Sequence, residues 1–117
     1  MKNSVRIVKL DGRKIAKSFH DYFSEEFGFP DFYGKNMDAW IDCMTYLDEP
    51  EGGMSTKIFV QAGESIIFHI DYVKFLKETN ANAYNDLIEC TAFVNYRRID
   101  LEDSPLIYLS FFNIEHE

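Results

Sequence analysis

Residues 29–45 read Phe-Pro-Asp-Phe-Tyr-Gly-Lys-Asn-Met-Asp-Ala-Trp-Ile-Asp-Cys-Met-Thr. The Pro and Gly in the first half predict a loop, and Asn36 is a residue type that favours a helix N-cap. Apolar side chains then recur at helical spacing on one arc: Met37, Trp40, Ile41, Met44 and Leu47. This arc predicts an amphipathic helix through about residue 47 that buries its apolar stripe in the core.

The opposite arc of this helix carries the polar side chains of Asp38, Asp42, Thr45 and Tyr46, which we expect to share one exposed face. The helix macrodipole favours Asp38 in the first turn, but it gives no reason for Asp42. Two like charges four residues apart weaken an isolated helix by about 0.2–0.5 kcal/mol. A partner that binds both acids would compensate, although an ordinary solvated helix face is the simpler alternative.

Three aromatic residues, Phe29, Phe32 and Tyr33, lie in the loop before the helix. Aromatic side chains beside fixed charges are typical of protein interfaces. Because Phe is usually buried, at least one ring, most simply Phe29, is expected to close the helix end as part of the core.

The segments outside this stretch alternate between strand and helix patterns. Residues 4–10 predict a strand, residues 15–27 a helix, residues 66–70 a strand, residues 71 onward and 83–96 two helices, and residues 106–112 a strand covered on both faces. This order predicts one α/β domain over residues 1–117, with a small three-stranded parallel sheet flanked by helices. Residues 57–60 allow an additional antiparallel edge strand.

The net charge of −8 over 117 residues disfavours nucleic acid and anionic membranes as partners. The same charge would attract a basic protein, but it is equally a common device for solubility, and charge alone does not separate the two. No apolar stretch has the length of a signal peptide or a membrane span, which favours a cytoplasmic location.

The residues that most often carry metal or catalytic chemistry show no pattern of a site. Cys43 and Cys90 are expected to be buried reduced thiols. His20, His69 and His116 stand alone, and the sequence has no metal-ligand spacing, cofactor motif or nucleophile motif, so we expect neither cofactor nor catalysis.

Residues 29–45 resemble the barstar family, whose signature is Leu-Pro-acid-aromatic-Tyr-Gly-x-Asn-Leu-Asp-Ala-Leu-x-Asp-Cys-Leu-Thr. The resemblance runs over 17 residues without a gap, and the order of strands and helices is also that of the family. Barstar-type proteins hold a secreted ribonuclease inactive inside its producer by inserting an acidic helix and the adjoining loop into the basic active site. The resemblance therefore implies a fold and a role of this kind.

Carried over by position, Asp42 would be the main acid that replaces a substrate phosphate, and Asp38 the second acid one turn earlier. Gly34, Asn36 and Thr45 would supply backbone or polar contacts. Phe32 stands where the family has a tyrosine that stacks on a catalytic histidine, so the ring is kept and the hydroxyl lost.

The chain departs from the family at the edge of this surface. Ile41, Tyr46 and Leu47 replace the family's Trp, Gly and Trp, and the family's glutamate contact on the late helix falls near Asn95, beside Arg97 and Arg98. About a dozen residues are inserted between residues 46 and 66, by our placement of the strands. The target therefore need not be the nuclease that the family's namesake inhibits.

We hypothesise a non-enzymatic immunity or antitoxin protein, monomeric when free, that occludes the active site of a basic ribonuclease. The alternative is a barstar-like binding module for a basic partner that is not a nuclease. An enzyme that uses Asp38 and Asp42 as an acid/base pair is disfavoured because no third catalytic group accompanies them.

Overall fold

The computed structural model of this protein describes residues 4–113. Three parallel strands form one sheet in the order β1-β2-β3, with β1 at Val5–Asp11, β2 at Ser65–Asp71 and β3 at Ile107–Phe111. Helices connect the strands and make the α/β architecture that the sequence order predicts. His116 lies outside the described residues.

Five helices accompany the sheet within residues 4–113. They are α1 at Gly12–Lys17, α2 at Phe19–Phe27, α3 at Met37–Thr45, α4 at Val73–Thr79 and α5 at Ala81–Asp100, with a short 3-10 turn at Pro50–Gly52. The prediction of one continuous helix over residues 15–27 is wrong, because Ser18 adopts an extended backbone between α1 and α2. The amide of Asn80 donates to the Ala16 carbonyl at 3.0 Å and so satisfies one of the free carbonyls at the end of α1.

The helices cover one face of the sheet. The strand register places one set of apolar side chains on that face, and all of them are buried: Val8, Leu10, Ile66, Phe68, Ile70 and Ile107. The other face is largely open, and Ile7 and Tyr108 are exposed there. The expectation that the last strand is covered on both faces is therefore wrong; its apolar residues include some that lie on the open face.

Helix α3 is anchored to the core by Trp40, which is fully buried. Its ring lies 5.5 Å from the ring of Phe23 and 5.7 Å from that of Phe19, both on α2. The apolar stripe predicted for α3 is confirmed, since Trp40, Ile41, Met44 and Leu47 are all buried and Met37 packs against the core. Packing on this scale fixes the direction in which the opposite face of α3 points.

Residues 57–60 do not form the antiparallel edge strand that the sequence allows. Their backbone amides bind helix ends instead: Lys57 N–H donates to the Phe27 carbonyl at 2.9 Å, and Val60 N–H donates to the Leu47 carbonyl at 2.9 Å. The Ser55 hydroxyl also donates to Phe27 O at 3.0 Å. The inserted segment thus supplies donors to the carboxyl ends of α2 and α3, where helices lack internal partners.

Gly28 permits this arrangement. It ends α2 with φ of 73°, a left-handed conformation that suits glycine, and a Cβ at this position would lie 2.4 Å from the Thr56 hydroxyl. The inserted segment therefore packs directly on the end of α2.

No helix in the described part of the chain is both long and apolar enough to cross a membrane.

Candidate functional site

The first turn of α3 is fixed by Asn36, as predicted. Its side-chain oxygen accepts a hydrogen bond from Ala39 N–H at 2.8 Å, which is the N-cap geometry. Its amide nitrogen lies 3.4 Å from the Gly34 carbonyl, which it approaches as a donor. Asn36 therefore joins the loop to the helix, and both it and Gly34 are exposed beside the first turn.

The exposed face of α3 presents Asp38, Asp42 and Tyr46, as predicted. Thr45 does not share this face, so that prediction is wrong. The Thr45 side chain is buried, with 6% exposure, and its hydroxyl donates to the Ile41 carbonyl at 2.6 Å. A short hydroxyl side chain can bind the carbonyl one turn earlier in this way, which uses its only donor, and burial keeps the remaining acceptor away from a partner.

Only one of the three loop aromatics is exposed. Phe32 is 79% exposed, whereas Phe29 and Tyr33 are buried with their ring centres 4.8 Å apart. The Tyr33 hydroxyl lies 2.6 Å from His20 Nδ1 on α2. Burial raises the pKa of Tyr33 and lowers that of His20. The two buried rings thus hold the loop to α2 while Phe32 points into solvent.

Lys35 adds a second attachment of the loop to α2. Its ammonium lies 2.9 Å from a carboxylate oxygen of Asp21, and the hydrogen bond from Lys35, joined by one from Ser18, lowers the pKa of Asp21. Lys35 has φ of 52°, in the left-handed region, directly before the N-cap Asn36. Lys35, just before α3 in the sequence, is therefore paired with Asp21 of α2.

Asp42 has a cationic neighbour on α5 that sequence reasoning missed. Arg97 Nη1 lies 3.2 Å from Asp42 Oδ1, and the side chains are 33% and 58% exposed respectively. Asp38 makes no ion pair among residues 4–113. The two acids of the predicted face are thus in different states: one is unpaired and the other is bound to an arginine of the same chain.

The next residue on α5, Arg98, is buried and joins α5 to the end of α3. Its guanidinium donates to both carboxylate oxygens of Asp48 and to the carbonyls of Thr45 and Ser104, at 2.8–3.1 Å. Its side chain and that of Asp48 are only 6% and 10% exposed. The sequence carried a signal for this contact, because Arg98 continues the apolar stripe of Leu87 and Val94, where only a paired charge is tolerated.

Asn95, which the resemblance places near the family's glutamate contact, directs its side chain to the start of β3. Its amide oxygen accepts from Leu106 N–H and Ile107 N–H, and its amide nitrogen donates to the Ile107 carbonyl at 2.8 Å. Asn95 therefore binds the start of β3. Arg97, two residues later, is the α5 residue that reaches the exposed acidic face of α3, at Asp42.

The departures from the family at Ile41 and Leu47 also lie in the core, since both residues are buried. Tyr46, at the end of α3, is the departure that stays exposed.

The cysteine on α3 lies beneath the acidic face. Burial raises the pKa of the Cys43 thiol to about 11, and the Asp42 carboxylate adds a smaller effect in the same direction. Cys43 is thus a buried unreactive thiol, as expected, whereas Cys90 is only half-buried.

The described residues hold no group of three or more His, Cys, Asp or Glu side chains arranged for a metal ion. A Ser–His–Asp grouping does occur on the open face of the sheet: His69 Nδ1 lies 3.1 Å from Ser110 Oγ, and Nε2 lies 3.5 Å from Asp71 Oδ1. It is on the opposite side of the sheet from the helices. The carboxylates of α3 therefore have no such group beside them.

Comparison with known proteins agrees with this geometry. The family model described as "Barstar (barnase inhibitor)" matches residues 5–103, and the chain belongs to the barstar family. The chain is also similar to a curated Bacillus subtilis (strain 168) protein named "Putative ribonuclease inhibitor YrdF", with 39% identity over 49 residues. That similarity covers 39% of this chain and 54% of the relative, so it spans about half of the relative's length. The resemblance predicted from residues 29–45 is confirmed.

Proposed function

We propose that this protein is a cytoplasmic immunity or antitoxin protein that inhibits a basic ribonuclease by occluding its active site. The proposal rests above all on one observation: Asp38 and Asp42 lie one turn apart on an exposed face of α3, and the loop that leads into α3 exposes the ring of Phe32. A site built to bind phosphate groups is cationic, and fixed carboxylates can occupy it in place of an RNA backbone.

The surface that we assign to the partner consists of the loop and α3 residues Phe32, Gly34, Asn36, Asp38, Asp42 and Tyr46. These residues are exposed, and the elements that carry them are anchored by Trp40 and Tyr33 in the core. Such an arrangement loses little conformational freedom on binding, which favours affinity. Thr45 is left out because its side chain is buried.

The chemical role of this surface is binding and not catalysis. Within residues 4–113 no group of His, Cys, Asp or Glu around Asp38 and Asp42 is arranged for a metal ion, and burial raises the pKa of the neighbouring Cys43 thiol to about 11, which keeps it protonated. Membership in the barstar family and the name of the Bacillus subtilis relative support inhibition as the role. Exposed Tyr46, at a position where the family has glycine, is a reason to expect a target other than barnase.

The test is a pull-down from the native cell with the wild-type chain and with an Asp38→Ala, Asp42→Ala double variant as a matched bait. We expect a basic ribonuclease to be retained by the wild type and lost by the variant, and its activity to fall to zero at one equivalent of inhibitor. A retained basic protein without ribonuclease activity would favour the alternative, a binding module for another basic partner. Retention that is equal for both baits would contradict the proposed surface.

A further inference from the structure

The carboxylate that the proposed function assigns to a basic partner is already bound to a cation of this chain. Arg97 Nη1 approaches Asp42 Oδ1 at 3.2 Å, and neither side chain makes another ion pair within residues 4–113. The inference drawn from this contact rests on the proposed function. It concerns which partners can use Asp42.

The position of Arg97 is fixed by the residue that follows it. The buried Arg98 guanidinium binds Thr45 O and both carboxylate oxygens of Asp48, and so holds the last turns of α5 against the end of α3. The backbone of Arg97 is thereby held beside α3. The ion pair of Arg97 with Asp42 is consequently built into the packing of the two helices.

The pair itself is weak enough for a partner to displace. Both side chains are partly open to water, and exposed ion pairs of this kind shift an equilibrium by about fivefold at most. A displaced Arg97 also has another acceptor at hand. Asp100 lies three residues further along α5, a spacing at which helix side chains are neighbours, and it is exposed without an ion pair within the described part of the chain.

We propose that Arg97 is a specificity-determining residue that competes with the partner's cation for Asp42. A partner gains this carboxylate only when its own cation reaches hydrogen-bond distance of Asp42 and replaces the guanidinium. A basic surface without a well-placed cation leaves Asp42 paired with Arg97, so it gains no ion pair with this carboxylate. A protein of net charge −8 attracts basic proteins in general. The competition from Arg97 therefore favours partners that place a cation at Asp42 over partners that are merely basic.

The test measures inhibition of barnase, and of the ribonuclease retained in the pull-down, by four variants: Arg97→Gln, Asp42→Ala, the double variant and Lys17→Gln. Lys17→Gln removes one exposed positive charge at the end of α1 and controls for net charge. We expect Arg97→Gln to bind about two- to fivefold more tightly than the wild type. The gain should vanish in the Asp42→Ala background and should not be reproduced by Lys17→Gln.

Two results of this inhibition assay would overturn the proposal. In the first, Arg97→Gln binds no more tightly than the wild type although Asp42→Ala binds more weakly. This result would mean that Arg97 does not compete with the partner's cation for Asp42. An equal gain with Lys17→Gln would mean that only net charge matters. The failure of the proposed function has a different signature, since then no ribonuclease is bound in a manner that depends on Asp42, and the role assigned to Arg97 falls with it.

A measurement on the free protein tests the ion pair of Arg97 with Asp42 directly. Proton-exchange spectroscopy of the Arg97 side chain should show slower exchange in the wild type than in Asp42→Ala. Equal exchange rates in the two proteins would show that the pair does not form in solution and would also overturn the proposal.

Discussion

Arg98 and Asp48 form a doubly hydrogen-bonded ion pair, with N–O distances of 3.1 and 2.9 Å, that is almost closed to solvent. Asp48 belongs to the acidic segment after α3, and Arg98 lies near the end of α5. A single side-chain contact thus joins the end of the helix that carries the acids to the helix that supports it. The neighbouring Arg97 makes an exposed pair with Asp42, which gives a natural comparison between adjacent arginines.

We predict that Arg98→Ala destabilises the fold far more than Arg97→Ala. Removal of one member of a buried pair leaves an uncompensated charge and costs about 3–5 kcal/mol, whereas loss of an exposed pair costs about 1 kcal/mol at most. Urea unfolding of both variants checks the difference in the free energy of unfolding. Similar values for the two variants would mean that the Asp48 contact is open to water in solution.

We predict that Asp42→Ala and Asp38→Ala both weaken binding to the cognate ribonuclease and barely affect folding, with the larger loss at Asp42. A residue central to an interface loses about 2 kcal/mol or more on truncation, which is about a 30-fold change in dissociation constant. Calorimetric titration gives the affinities, and urea unfolding is the control for folding. Asp38→Ala should also lose a little helix stability through the macrodipole. Unchanged affinity of Asp42→Ala would contradict the role carried over from the family.

We predict that the rate of association with the ribonuclease falls as salt concentration rises. The net charge of −8 and the acidic face of α3 attract a basic partner over distances that salt shortens to about 8 Å at physiological ionic strength. Stopped-flow measurements between low and high salt check this expectation, with the dissociation rate as the internal control because steering acts mainly on association. A rate of association that stays constant would rule out steering.

We predict that protonation of His20 destabilises the fold. Burial is the largest cause that lowers the pKa of His20; the Asp86 and Asp21 carboxylates oppose it, and Lys35 acts with it. Because the folded pKa lies below the unfolded value of 6.5, the unfolded state binds more protons as the pH falls through that value. The contribution of His20 is therefore complete above about pH 7, declines as the pH falls through 6.5 and levels off below the folded pKa.

Urea unfolding of the wild type and of His20→Gln between pH 7 and pH 5 isolates the titration of His20 together with its effect on Asp21 and Asp86, since the carboxylates away from His20 titrate alike in both proteins. We expect the wild type to lose more stability than the variant over this interval. Parallel curves would show that the contact between His20 and Tyr33 tolerates the charge.

The sequence by itself determined the elements whose cause is local. The alternation of residues 4–10, the helical spacing of Trp40 and Met44, and the capping side chain of Asn36 act through neighbours within one or two turns. The exposure of Asp38, Asp42 and Tyr46 followed from the same spacing. The family resemblance of residues 29–45 then gave these positions a meaning that periodicity alone could not.

Only the tertiary structure decided the contacts between segments distant in the chain. Residues 57–60 have the composition of a strand but give their amides to the ends of α2 and α3, and Thr45 lies on the polar arc but is buried beside α5. The pairing of Arg97 with Asp42 spans 55 residues and depends on how α5 packs along α3. Helical spacing determines which side of a helix a residue occupies. Which segment covers that side depends on the packing of the whole chain, because burial and charge pairing are set by neighbours in space.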